Sequence, residues 1–164
     1  MNAVAGLDYS LSYIDVAVVS GPTLVLAKQY ALGVDLASRI AVIQRALDEL
    51  IASPYAPSVI AMEQPWVREG RGVRSALELH AIPHYVTALA AERGIETRFV
   101  PVPTWRSVVL GNGKLSTEAA KVLAVQYVQR VYQHKSDSHN QADAACLATW
   151  ARDTARQRER VGAR

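Results

Sequence analysis

The hydrophobic period of this chain changes near residue 35, and that change restricts the fold more than any other feature. Before it, apolar runs follow one another with short links. They are Ala3-Val4-Ala5-Gly6-Leu7-Asp8, Ser12 to Ser20 and Thr23 to Leu32, the last two separated by Gly21-Pro22. Runs of this length, rich in Val and Ile and joined at a turn pair, predict an antiparallel meander. After it, Leu36, Ile40, Ile43, Leu47 and Leu50 recur at helical spacing, with Asp35 placed to cap the helix start. Pro57 to Glu63 predicts a buried strand. About Val73 to Arg93 predicts a helix interrupted by Pro83 and stopped by Gly94, and Ile95 to Val102 predicts another strand. Gly111-Asn112-Gly113 is a loop. Ser116 or Thr117 caps a helix to about Tyr132, and Ser138 starts a last one. The order βββαβαβαα implies an α/β fold: a mixed five-stranded sheet with helices on both faces.

The 164 residues predict one domain over 1–152 and a basic tail over 153–164. The single Cys146 cannot form an internal disulfide, and its apolar helical surroundings predict a buried structural thiol. No apolar run approaches the roughly 20 residues of a membrane span, and the N-terminus lacks the basic start of a signal peptide, so a cytoplasmic protein is expected. Of the net charge of +3, all resides from Arg152 onward, where five arginines meet Asp153 and Glu159. Such a tail either solubilises a helix end or meets a phosphate backbone.

Three acids stand where packing alone would not put them. Asp8 follows Leu7 at the end of the first strand, and Glu63 follows Val59-Ile60-Ala61-Met62 at the end of the fourth. Asp143 precedes Cys146, Leu147 and Trp150 by three, four and seven residues, so it shares their apolar helix face. Taken singly, Asp8 reads first as a turn former or cap, and Asp143 reads equally as a partner of the helix dipole. Glu63 is harder to explain as structure, since Glu is a poor strand residue. Two strands and a helix can bring their ends to one edge, where three carboxylates would repel. Hard divalent cations remove that repulsion, and oxygen-only ligation favours Mg²⁺ or Mn²⁺ over zinc.

The segments Gly6-Leu7-Asp8, Met62-Glu63-Gln64, Trp105-Arg106 to Gly113-Lys114 and Gln141-Ala142-Asp143-Ala144-Ala145 resemble the RuvC family of Holliday-junction-resolving endonucleases over about residues 3–151. The degree of divergence is like that of phage-encoded members. The resemblance implies an RNase H-like fold in which Asp8, Glu63 and Asp143 are metal-binding catalytic residues. The family's fourth position, usually Asp or His, is Asn140 here. A neutral amide binds a hard cation more weakly and cannot accept a proton, so reduced cleavage is expected. His139 could fill the role by a slight shift of the helix start. Tyr9-Ser10 stands where many members have Pro-Gly.

The implied reaction is phosphodiester hydrolysis with two metal ions per site, about 3.5–4 Å apart. Asp8 would bridge them, and Glu63 and Asp143 would each hold one. Lys121 matches a family lysine at the scissile phosphate, although it also reads as a solvated helix lysine; Arg106 and Lys114 are weaker candidates. Trp66 with Arg68, Arg71 and Arg74 forms an aromatic and arginine loop suited to unstacked bases and phosphates, and Trp66 would wedge into the junction; the alternative is a Trp folded onto the core. Trp105 and Trp150 read as structural. A near-twofold four-way junction calls for a homodimer, with Leu77, Ala81, Tyr85 and Ala88 as the apolar stripe of its interface helix. Competing readings are a YqgF-type RNase H-like nuclease, against which Glu63 argues, and a junction-binding module without chemistry, which Asn140 keeps open. An actin-like phosphotransferase would need a second copy of the domain.

Overall fold

The computed structural model describes the backbone of residues 3–65 and 73–162 and the side chains of residues 3–65 and 76–155. The strands are β1 (Ala3–Tyr9), β2 (Tyr13–Ser20), β3 (Thr23–Ala31), β4 (Pro57–Glu63) and β5 (Glu96–Val100). The helices are α1 (Leu36–Ala52), α2 (Val73–Ala91), α3 (Val102–Leu110), α4 (Thr117–Tyr132) and α5 (His139–Gly162). The sheet order is β3-β2-β1-β4-β5. The meander pairs β1 with β2 and β2 with β3 antiparallel, while β1–β4 and β4–β5 are parallel. The expected mixed five-stranded sheet is present, and β1 is its central strand.

Side chains alternate across the sheet because successive strand residues point to opposite faces. Ala5, Leu7, Ile14, Val16, Val18, Ile60 and Met62 face a core shared with Ile43 and Leu47 of α1 and Ile82 and Val86 of α2. Val4, Ala17, Val19, Val59 and Ala61 face the other core, with Trp105 of α3, Ala124 and Val128 of α4, and the small residues of α5. By the same parity, Asp8, Asp15 and Glu63 point to the α5 face.

The seat of α5 depends on Gly6. A Cβ at that position of β1 would collide with the backbone of Ala144 and Ala148 and lie 2.9 Å from the Leu147 Cβ. Glycine on the strand and Ala144, Ala145 and Ala148 on the helix let α5 lie directly on the central strand. All three alanines are fully buried.

Helix starts follow the caps read from the sequence. Asp35 accepts from the Ser38 amide, Ser116 from that of Ala119, and Ser138 Oγ from that of Gln141. Two expectations are corrected. Pro83 does not interrupt α2, because Ile82, Val86, Leu89 and Ala90 anchor the helix to the core on both sides of the ring. The expected strand to Val102 ends at Val100, and α3, absent from the βββαβαβαα order, follows at once. Pro101, read as part of the strand, ends it and occupies the α3 N-cap, with Pro103 in the first turn of the helix. Among the described residues, no helix is long and apolar enough to cross a membrane.

Gly6→Ala is expected to cost about 1–3 kcal/mol or more, because backbone atoms must move to admit the methyl group. Gly21→Ala meets open space and carries only the strain of a positive φ, 59°, about 1–2 kcal/mol. Denaturant melts should rank Gly6→Ala as the more damaging; the opposite order would contradict the close seat of α5.

Candidate active site

The parallel pairing of β1 and β4 places their C-terminal ends side by side, with Leu7 opposite Met62. Asp8 and Glu63, the next residues on each strand, therefore leave the sheet at the same edge and on the same face. Asp143 is in the first turns of α5, which crosses β1, β2 and β4 on that face. Cys146 and Leu147 are fully buried, and Cys146 is a free thiol whose burial pushes its pKa well up, which fits the structural role expected for it.

Electrostatics tie the three acids together. Burial raises the Asp8 carboxyl far above its ordinary range, with further increments from Glu63, Asp143 and Asp15. Burial also raises Glu63, opposed by the Trp105 hydrogen bond and by Arg106. Asp143 is raised to about 7 by burial and by Glu63, with Arg106 and Lys121 pulling the other way. Desolvation leads in every case, so the cover supplied by α5 shapes the site more than any one charge.

Trp105, expected to be structural, is fully buried and has a second role. Its Nε1 donates to Glu63 Oε1 at 2.9 Å, fixing the carboxylate from below. Arg106, the next residue, lies with its guanidinium carbon 5.5 Å from the Trp105 ring centroid. Asp143 Oδ1 and Arg106 Nε are both buried without a hydrogen-bond partner among the described residues. Lys121 is within charge range of Asp143 and also contacts Glu118 at 3.3 Å. Lys114 is exposed in the loop after α3. Trp150 is partly buried against the α5-side core.

Asn140 is partly buried, whereas His139 is exposed. Both face Asp15 of β2, a residue that the sequence reading passed over and that is only 1% exposed. A signal for it existed: an acid inside the otherwise apolar run from Ile14 to Val19. Trp66, Arg68 and Arg71 lie outside the described residues, as does the side chain of Arg74. On α2, Leu77 is 67% exposed and Ala88 is exposed, so the stripe expected for an interface faces outward there; Tyr85 packs partly on the core.

A divalent cation can be tested against this donor set. Among the described residues, no three His, Cys, Asp or Glu side chains form a ready group that could hold one ion. Gathering the acids around a shared cation thus requires side-chain rotation. The chemistry otherwise fits: the donors are all oxygens, Glu63 raises the proton affinity of both Asp8 and Asp143, and Asp143 keeps a buried oxygen with no hydrogen-bond partner among the described residues. Beside Glu63 opens a cavity of about 560 Å³ whose lining includes Gln64, Pro101, Arg106, Gly113 and Thr117.

No protein-family model and no curated protein matches the sequence. Solved structures do. The structure of Thermus thermophilus RuvC superposes with a TM-score of 0.74 at 17% identity, covering 94% of this chain and 96% of that one. The T. thermophilus RuvC solved in complex with a Holliday junction substrate gives 0.78 at 18% identity, covering 96% of each chain. The RuvC-type, RNase H-like architecture is thus the fold of this chain. Both neighbours are bacterial proteins and lend no support to a phage source.

The raised carboxyl of Asp143 has a consequence for stability. Its folded pKa of about 7 exceeds the ordinary 3.8, so between those values the folded chain binds the proton that the unfolded chain releases. The stabilisation from this group is complete below about pH 4 and is lost as pH rises towards 7. Unfolding in a chelator across pH 4–8 should show a shallower loss for Asp143→Asn than for the parent. Identical slopes would place Asp143 in solvent.

Proposed function

We propose that the chain is a Mg²⁺-dependent endonuclease that cuts four-way or branched DNA, working as a homodimer in the cytoplasm. The observation that carries this reading is the partly buried cluster of Asp8 and Glu63 at the strand ends with Asp143 of α5, in which Glu63 raises the proton affinity of the other two and Asp143 that of Asp8. The RuvC-type fold adds support, since one neighbour of that fold was solved with a Holliday junction substrate.

Asp8, Glu63, Asp143 and the Asn140 side-chain oxygen would hold two Mg²⁺ ions, with Mn²⁺ as a substitute. Bound there, the ions would supply charge neutralisation, activation of water and stabilisation of the leaving oxygen. The protein's own residues then have distinct tasks. Asp8, the most strongly desolvated of the three, would be a ligand of the ions, and Trp105 restrains Glu63 by its hydrogen bond. Arg106 and Lys121 bring positive charge to the Asp143 side of the site, where a scissile phosphate needs it. Lys114 is proposed to meet the DNA backbone farther out. Trp66, Arg68, Arg71 and, at the start of α2, Arg74 are proposed to engage the branch point. The α2 stripe with exposed Leu77 and Ala88 and partly buried Ala81 is the proposed dimer face, which would pair two sites across a symmetric junction.

A second reading, a module that binds junctions without cutting them, rests on Asn140. In that reading the neutral amide stands where the resemblance calls for Asp or His, and cutting is reduced or lost.

Incubation of a labelled four-way junction with the protein and Mg²⁺ tests both readings. The expected result is paired nicking that Glu63→Gln and Asp143→Asn each slow by about three powers of ten, the equivalent of several kcal/mol. Gel-shift affinity for the junction should survive both changes. Binding without nicking in the parent would favour the second reading, and neither binding nor nicking would remove both.

A further inference from the structure

The sheet edge where β4 ends carries a cavity as well as an acid. The Gln64 amide donates to the Val100 carbonyl at 2.9 Å, so the chain stays beside β5 one residue beyond Glu63. Pro101 then turns the chain from β5 into α3. The first turn of that helix lines, with Gln64 and Pro65, the cavity of about 560 Å³. A further wall comes from the loop after α3. Gly111, at φ 78°, caps the helix in the left-handed region and turns the chain back. Gly113 then lies against the first turn, so closely that a Cβ would stand 2.5 Å from the Pro103 carbonyl oxygen. Leu115 and Thr117, just beyond that contact, complete the lining.

The lining selects for a particular shape of molecule. Pro65, Pro101, Val102, Pro103 and Leu115 offer apolar faces, while Gln64, Arg106 and Thr117 offer hydrogen-bonding groups. Arg106 Nε is buried without a hydrogen-bond partner among the described residues, so a donor there lacks an acceptor. A few polar groups set in an apolar cleft of roughly 300–1,000 Å³ suit a small molecule with apolar faces and a polar rim. An unstacked nucleobase is such a molecule. A paired base in a duplex cannot enter, because its faces and its pairing edge are already covered. A phosphate alone would leave the apolar walls unused. Glu63 also lines the cavity, so a strand that brings a phosphate to the acids places a neighbouring nucleoside at its mouth.

We propose that this cavity is a subsite for one unstacked nucleobase of the strand being cut, with Gln64, Arg106 and Thr117 meeting its rim. This deepens the endonuclease reading above and rests on it. A base lodged there holds the adjoining phosphate in register at the acids. Extruding a base costs least where stacking is already broken, so the subsite favours a branch point over unbroken duplex.

Fluorescence of 2-aminopurine, an adenine analogue that stacking quenches, tests the subsite on the full chain. Nicking in Mg²⁺ first maps the cut, and the analogue then replaces each nucleotide beside it in turn. The fluorescence is read with excess protein and with Ca²⁺, a larger ion of looser geometry, in place of Mg²⁺. A gel checks that the strand stays whole. The parent should brighten one position several-fold, because the lining residues offer the base no aromatic ring to stack on. Gln64→Leu/Thr117→Met, two changes at exposed positions, narrows the cavity and removes two of its polar groups. The double variant should still shift the junction on a gel, since phosphate contacts supply most of the affinity, but lose most of the brightening. No brightened position in the parent, or brightening that survives the double change, overturns the subsite and leaves the nuclease reading intact. Should the double variant not fold by circular dichroism, Thr117→Met decides alone. Brightening cut by half or more then supports the subsite, and anything less overturns it. A parent that makes no nick in Mg²⁺ removes the nuclease reading and this inference with it.

Discussion

The seat of α5 on β1 is the contact on which the rest of the molecule depends. It exists because Gly6 carries no side chain and because Ala144, Ala145 and Ala148 keep the helix surface low. A helix held farther off by ordinary side chains would leave water between itself and the strand ends. Close contact excludes that water, and exclusion raises the proton affinity of Asp8, Glu63 and Asp143. Packing on one part of the face thereby sets the electrostatics of the part beside it.

Those electrostatics are unbalanced within the protein. Arg106 and Lys121 both lower the Asp143 pKa, yet burial and Glu63 prevail and leave it at about 7. Trp105 and Arg106 offset only part of the burial effect on Glu63. Near neutral pH, Asp143 is therefore poised between holding a proton and accepting positive charge from outside, and Asp8 and Glu63 are shifted in the same direction. Stability alone gives no reason for this arrangement, since replacing buried ionisable groups by apolar ones is often neutral or favourable. Sites that hold strained ionisation states are more often those that use them.

The sequence made the frame legible because its signals were local. The apolar strand runs, the Gly21 turn and the Asp35, Ser116 and Ser138 caps each occupy a few adjacent residues. Asp8, Glu63 and Asp143 were legible for a different reason: each contradicts the apolar pattern around it. The missed features depend on tertiary contacts. α3 begins at prolines that locally signal interruption, and the hydrogen bond from Trp105 to Glu63 spans 42 residues that no periodicity links. Asp15 broke the apolar pattern as plainly as Glu63 did. It lay inside its run rather than at the end, so it drew no notice until the β1–β2 register set it against Asp8.

Identity of 17–18% with the neighbours means that the fold does not decide between cutting DNA and only binding it. The distribution of charge bears on that choice. A surface that only binds nucleic acid gains from exposed Lys and Arg and loses from buried acids, because phosphates are repelled by them. Here the acids occupy the covered edge where the central strands end, with Arg106 and Lys121 beside them and a cavity opening at Glu63. A phosphate could approach that edge only with cations between itself and the carboxylates. Those cations would also polarise the phosphate. The arrangement that makes binding unfavourable without metal is therefore the one that favours hydrolysis with it, and for this reason the proposed endonuclease accounts for these acids better than a passive junction binder does.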